Sequence, residues 1–209
     1  EIPLRLVGSE MCIRDSNRFA HEIHGVIALE GTPPLEFQER GKEQLRSYGA
    51  QIVNATVDSV TDNDRTLTAT LSNGETIAAR SIIVASGVDD EHPAIPGLQE
   101  NWGNTVLHCP YCHGYEVADK KLGVLYIGEF SFHHAAVLRQ WSKDITFFTN
   151  GMEFTDEQRA DLTRRGIALI DDPVTAFQDG KVLLESDEHA VDALFYMPIP
   201  RPHDEFLAD

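Results

Sequence analysis

Between Leu122 and Ile170 the chain alternates short apolar runs with longer amphipathic ones, and that order leaves few folds open. Leu122 to Gly128 (LGVLYIG) reads as a buried strand. Phe132 to Ser142 (FHHAAVLRQWS) has a helical pattern, with Phe132, Ala136, Leu138 and Trp141 expected inward. Asp144 to Gly151 (DITFFTNG) reads as a second strand. Thr155 and Gln158 have capping-box spacing and open a helix that runs to Arg165-Gly166, after which Ile167 to Ile170 gives a third strand. Strand–helix–strand–helix–strand with continuously apolar strands predicts a parallel sheet with covered faces, one mononucleotide-binding half of a doubly wound fold.

The first half of the chain is organised differently. Asn17 to Gly31 is loop-like and punctuated by glycines. Pro33-Pro34 opens a helix, because proline suits a first turn whose N–H groups have no helical partner. Leu35, Leu45 and Tyr48 are its expected anchors and Gly49 its C-terminal stop, with Gly41 weakening the middle. Gln51 to Val60 reads as a strand and 61–64 as a turn. Arg65 to Leu71 and Glu75 to Ile77 pair across Ser72-Asn73-Gly74, a hairpin signal. Arg80 to Gly87 (RSIIVASG) reads as a fully buried strand of a parallel sheet, ending in residues small enough for a ligand to approach. Ser86 and Gly87 are therefore candidate cofactor contacts. Pro93 and Pro96-Gly97 suggest a linker, with a domain boundary between about Gly97 and Val106.

Composition narrows the partners. A formal charge of -17 argues against nucleic acid or anionic lipid, both of which need a basic surface. No apolar run approaches the ~20 residues of a membrane-spanning helix. Three cysteines cannot make a disulfide-stapled secreted scaffold, so the cytoplasm is the expected compartment. Leu6 to Ser16 (LVGSEMCIRDS) resembles a translated sequencing adapter. Residues 1–16, Cys12 included, are accordingly expected to be an adapter-derived scar and are left out of the fold reading.

Two cysteines stand in Cys109-Pro110-Tyr111-Cys112, followed by His113. This spacing lets two thiols close a small ring and lowers the pKa of one of them. A glutaredoxin-type site, a c-type haem attachment, a zinc site using His108 and His113, and a flavin-coupled disulfide all share the pattern. A glutaredoxin places its motif after the first strand of a small domain, and here a long strand-rich region precedes it. A haem site needs an export route and a second axial ligand. Zinc needs four ligands, and no second cysteine pair exists. The flavin-coupled reading is preferred, and a zinc-stabilised binding module is kept as the non-enzymatic rival.

The order strand-Ala-Ser-Gly, Pro96-Gly97, Cys-x-x-Cys, strand–glycine–helix resembles the low-molecular-weight thioredoxin reductases and their relatives. The string His108 to Glu116 (HCPYCHGYE) is similar to the subgroup with histidine after the second cysteine, which includes oxidases and reductases of small dithiols. The upstream NRFAHEIHGVIALEGTPPLEF shares that likeness. The resemblance implies an α/β fold of two Rossmann-like FAD/NAD(P)-binding units with three-layer ββα character, the FAD unit truncated at both ends. Residues 17–105 would be the partial FAD-binding domain and 106–209 the NAD(P)-binding-like domain that carries the Cys-x-x-Cys. It also implies that Cys112 faces FAD, that Cys109 exchanges with the substrate, and that His113 stands where the reductases keep an acid–base carboxylate. Histidine suits that task because its pKa lies near neutrality. His108 is expected to be structural.

By resemblance alone, Asn17, His24 and Gly25 are flavin neighbours. The implied substrate is a thioredoxin-like protein or a small dithiol or disulfide, and the implied assembly of the full-length parent is a homodimer. The second nucleotide site departs from the pattern. Of Gly-x-Gly-x-x-Gly only Gly128 remains, Glu129 adds negative charge, and Ser131 at the helix start is the other candidate contact. Thr149-Asn150-Gly151 lacks the arginines that grip an NADP 2′-phosphate. NAD(P)H therefore stays open, with oxygen or another electron carrier as alternatives. The His133-His134 pair is expected at a helix start, with no metal role. A first FAD-binding strand is expected to precede Asn17 and a closing Gly-Asp segment to follow Asp209, so the chain as given should hold FAD weakly. Visible flavin absorbance of the purified protein checks this, and a flavin-replete preparation would contradict it.

Overall fold

The apolar runs of the second half do pair as parallel strands. The computed structural model describes residues 22–207. In chain order these form α1 (Pro34–Ser47), β1 (Val57–Asp62), β2 (Leu67–Leu71), β3 (Thr76–Ala79), β4 (Val88–Glu91), β5 (Val106–Leu107) and α2 (Pro110–His113). There follow β6 (Leu122–Leu125), α3 (Phe130–Leu138), β7 (Ile145–Phe148), α4 (Asp156–Arg164), β8 (Ala168–Ile170), β9 (Val174–Gln178), β10 (Lys181–Leu184), β11 (Glu188–Ala190), β12 (Ala193–Phe195), β13 (Ile199–Pro202) and a 3-10 turn at Glu205–Leu207. Among the described residues the chain divides into two units, one of 33–90 and 200–207 and one of 22–32 and 91–199.

The larger unit is built on a five-stranded parallel sheet in the order β5-β12-β6-β7-β8. Successive strand residues point to opposite faces, so each strand feeds two cores. Val124, Phe147 and Phe195 pack on one face with Ala135 and Leu138 of α3 and Leu162 of α4. Leu125, Phe148 and Leu194 pack on the other with Val174, Phe177 and Val182 of the antiparallel sheet β11-β10-β9. Helices, parallel sheet and meander make three layers. Each fully buried Phe, Leu or Val stabilises this arrangement by about 1.5–3 kcal/mol.

The local signals explain the elements. Thr155 Oγ1 accepts from Gln158 N at 3.2 Å, and Thr155 N donates to Gln158 Oε1 at 2.9 Å, so both halves of the capping box exist. Helix α3 starts two residues before the expected position, at Phe130. Its buried face is Ser131, His134, Ala135 and Leu138, at helical spacing. Ala136, expected inward, lies beside that face and is half-buried.

Pro96-Gly97 is no linker. Phe177 N donates to Pro96 O at 2.8 Å, and Leu98 and Trp102 are buried in the meander-side core. Gly97 has φ +87°, and a Cβ there would collide with the Phe177 carbonyl.

The smaller unit carries α1 and the antiparallel sheet β1-β2-β3. The hairpin turns where expected: Gly74 N donates to Leu71 O at 2.8 Å, and Asn73 Oδ1 accepts from Glu75 N at 3.0 Å. Two expectations are corrected here. Of the run 51–60 expected as a strand only 57–60 forms one, 51–56 lies outside any element, and β1 continues through 61 and 62, which were expected in the turn. The run 80–87 is not a buried strand either: Ile83 and Val84 are exposed. A central parallel strand needs hydrogen-bonded neighbours on both sides, and no described strand pairs with this run. For the same reason Leu35, Leu45 and Tyr48 of the first helical segment are exposed, and Pro34 is the one buried residue of α1.

Gly97→Ala combines a left-handed backbone with a main-chain collision, so it is expected to cost about 2–3 kcal/mol. Urea unfolding of the variant beside the parent chain measures the loss.

Candidate active site

The Cys-x-x-Cys turn hangs from the end of the parallel sheet. Val106 and Leu107 of β5 pair with Leu194 and Phe195 of β12, and Cys109 follows two residues later. Cys109 is the extended N-cap of the one-turn helix α2, with Pro110 at the first helical position, where proline is favoured. Cys109 and Cys112 form a disulfide with a Cα–Cα separation of 5.2 Å. Cys112 N donates to Cys109 Sγ at 3.1 Å, and His113 N donates to Cys109 O at 3.1 Å. After reduction the Cys112 N–H is placed to stabilise a thiolate on Cys109. In the bridged form neither sulfur is the thiolate that a zinc site needs. Gly114 closes the turn where a Cβ would strike the Trp141 ring and the Pro110 carbonyl, so the turn lies close against Trp141, just beyond α3.

His113 is buried, whereas Tyr111 and Tyr115 on either side are exposed. Its Nδ1 lies 3.3 Å from Glu116 Oε2. The other carboxylate oxygen, Glu116 Oε1, lies 3.0 Å from His24 Nε2. His24 Nδ1 lies 2.6 Å from Glu30 Oε1, and Gly25 N donates to Glu30 Oε2 at 2.9 Å. The hydrogen bond to Glu30, then that to Glu116, raises the His24 pKa above its ordinary value. Glu30 is held below the usual carboxylate range by His24 first and the Gly25 N–H second. Burial pushes Glu116 up, but its bonds to His24 and His113 outweigh this and hold it down. Glu116 was legible in the HCPYCHGYE string, three residues after His113, yet nothing local assigned it a role. Its partner His24 is 92 residues away in sequence.

Other histidines face inward. His108 stacks on Trp102 with ring centroids 5.4 Å apart. His134 is buried, its Nδ1 has no hydrogen-bond partner, and burial, then the charges of His108 and His133, lowers its pKa to about 4. It is neutral near pH 7.

The cofactor candidates separate by chemistry. Gly87 at the end of 80–87 has φ +71°, a backbone that lets a ligand approach without a side chain between, and Ser86 beside it is buried. This turn fits an FAD contact. His24 and Gly25 direct their donors to Glu30 and Glu116. Asn17 lies outside the described residues, as does the adapter-like segment 1–16. The loop before α3 does not fit a dinucleotide pyrophosphate. Ser131 is buried with its hydroxyl donating to Leu125 O and accepting from Ile127 N, both at 3.3 Å. Glu129 is the N-cap residue of α3 and its carboxylate accepts from Tyr126 at 3.4 Å, so the helix start carries a negative charge that disfavours a pyrophosphate. Gly128 keeps open space around its Cα. Arg159, the first arginine after β7, is paired with Asp171.

The bonds of His24 give a pH window. Protonated His24 stabilises the folded loop fully below pH 6.5, and this is lost as pH rises through its raised value. The carboxylates contribute fully above pH 4.5, and this is lost as pH falls through their lowered values. Amide-exchange protection of Gly25 and Gly31, corrected for intrinsic rates, should therefore be greatest between these limits and fall on both sides.

Residues 35–118 match the family described as Lycopene cyclase protein, over less than half of the chain. The chain is 31% identical over 153 residues to thioredoxin reductase tcpT of Claviceps purpurea, covering 66% of this chain and 47% of that protein. The structure of an oxidoreductase from Agrobacterium tumefaciens superposes with a TM-score of 0.85 at 32% identity, covering 97% of this chain and 68% of the other. The structure of HlmI superposes with a TM-score of 0.83 at 35% identity, covering 90% and 62%. The chain spans about half the length of the curated relatives it matches. Flavin and NADPH are used in this family in general. The match along nearly the whole chain, with a parallel sheet carrying the Cys109–Cys112 disulfide at its edge, leads to one assignment: the chain belongs to the thioredoxin-reductase-like family of FAD-dependent oxidoreductases.

Proposed function

We propose that this chain contributes the dithiol–disulfide exchange centre of an FAD-dependent oxidoreductase, with Cys109, Cys112 and His113 as its reacting groups. The observation that carries the reading is the bridged Cys109–Cys112 turn, with the Cys112 N–H on Cys109 Sγ and a buried imidazole next in sequence. Bound FAD would supply the two-electron reservoir, and Ser86 and Gly87 are the described residues suited to touch it.

In the reducing direction, the Cys109 thiolate attacks a substrate disulfide and releases one substrate thiolate, forming a mixed disulfide. The Cys112 thiolate then attacks Cys109 Sγ, the Cys109–Cys112 bond forms, and the second substrate thiolate leaves. His113 holds the proton that a leaving thiolate takes up or an attacking thiol gives away. Two thiols are oxidised and one disulfide is reduced. Oxidation of a substrate dithiol is the same sequence reversed. The substrate is a thioredoxin-like protein or a small dithiol or disulfide.

A second reading, a small-dithiol oxidase that passes electrons to oxygen, is favoured by one observation. Glu129 and the committed Ser131 hydroxyl make the loop before α3 a poor seat for NAD(P)H. Oxygen uptake with a dithiol, set against NADPH oxidation with a disulfide, separates the two.

Equilibration of the chain in glutathione buffers, followed by alkylation and mass analysis, tests the central claim. The parent chain should interconvert between bridged and dithiol forms. Cys109→Ser and Cys112→Ser should abolish the bridge, and each should slow dithiol-driven bleaching of added FAD by about 10³-fold or more. Thiols that never pair reversibly in the parent chain would refute the proposal.

A further inference from the structure

Glu30, His24, Glu116 and His113 form a continuous row that ends beside the redox pair. The two oxygens of Glu116 are divided between the two histidines, at 3.0 Å from His24 Nε2 and 3.3 Å from His113 Nδ1. His24 in turn has a carboxylate on each ring nitrogen, Glu30 on Nδ1 and Glu116 on Nε2. Carboxylates only accept hydrogen bonds, and a neutral imidazole donates from one nitrogen alone. Satisfying both contacts requires His24 to be the doubly protonated imidazolium. Its raised pKa agrees with that geometry.

We infer that Glu116 is a positioning residue for the exchange reaction: its carboxylate, held by His24, accepts from His113 Nδ1 and fixes the imidazole tautomer that leaves Nε2 to handle the thiol proton. The inference rests on the proposed exchange chemistry and deepens it. A histidine whose Nδ1–H is held by a carboxylate has one ring orientation and one basic nitrogen, the device that makes an imidazole an effective acid–base group. The row also gives the segment 22–32 a mechanistic role. Glu30 and Glu116 face His24, and His24 and His113 face Glu116, so the cation of His24 stands between two anions and keeps Glu116 in its accepting form. Glu116 is about half exposed, at 47% of its side chain, and replacement by the isosteric glutamine removes the charge without opening a core.

The test uses the full chain with ¹⁵N-labelled histidine, reduced and then re-oxidised by glutathione disulfide at pH 7. In the parent chain the His113 imidazole should show a single Nδ1–H tautomer. In Glu116→Gln that signature should give way to a mixture of tautomers, the titration midpoint of His24 should fall, and closure of the Cys109–Cys112 bond should slow by about tenfold. Glu116→Asp should recover part of both the tautomer signal and the rate. His24→Gln, at the far side of the carboxylate, should shift the same two readouts in the same direction but less. An unchanged His113 tautomer and closure rate in Glu116→Gln, in a parent chain that does close its bridge, overturns the positioning role and leaves the exchange chemistry standing. A parent chain that never closes the bridge overturns the exchange chemistry itself.

Discussion

The position of the two sulfurs depends on a very short strand. Strand β5 is two residues long, and it stays in the sheet because both residues pair with β12 and both side chains are buried. Leu194 N donates to Thr105 O at 2.8 Å, and Tyr196 N donates to Leu107 O at 3.1 Å, so the register is tied on both sides of β5. Cys109 emerges two residues beyond that anchor, where Pro110 suits the start of the turn and Gly114 lets it lie on Trp141. Without β12 the Cys-x-x-Cys turn would hang from a segment paired only with the local turn at 101–103. The placement of Cys109 and Cys112 therefore rests on a strand that enters the sheet more than eighty residues later.

Electrostatics at the turn is concentrated in few groups. The chain is strongly acidic overall, yet the carboxylates near His113 are held ionised by an imidazolium rather than by lysine or arginine. An imidazolium is the one cation whose charge is removed near physiological pH, so the order of the 22–32 segment is tied to pH in a way that a lysine pair would not be. His134 shows the opposite treatment. Buried on α3 and left without a partner for Nδ1, it is driven neutral, which keeps an uncompensated charge out of the interior.

Family likeness and local geometry agree on the sheet, but they part at the nucleotide loop. Relatives use NADPH in general, whereas here Ser131 ties its hydroxyl to the end of β6 and Glu129 occupies the helix start. The sheet that such a loop decorates is unaffected, because its stability comes from the two apolar faces and not from the loop. Function can diverge at such a point while the fold does not.

The parallel sheet, the capping box of α4 and the Asn-Gly hairpin were legible in the sequence because each is set by neighbours within a few residues: strand alternation, a side chain three positions away, a turn that needs glycine. The sulfur pair was legible for the same reason. What the sequence alone did not disclose depends on distant partners. The apolar run 80–87 has the composition of a central strand, but composition cannot supply the flanking strands that would bury it. Pro96-Gly97 has the composition of a linker, yet Phe177 captures it from 80 residues away. The link from His24 to Glu116 crosses 92 residues, and only the tertiary structure brings their charges to hydrogen-bonding distance. Local backbone preferences are written in adjacent residues, whereas pairing and charge neutralisation are decided by which segments the folded chain brings together.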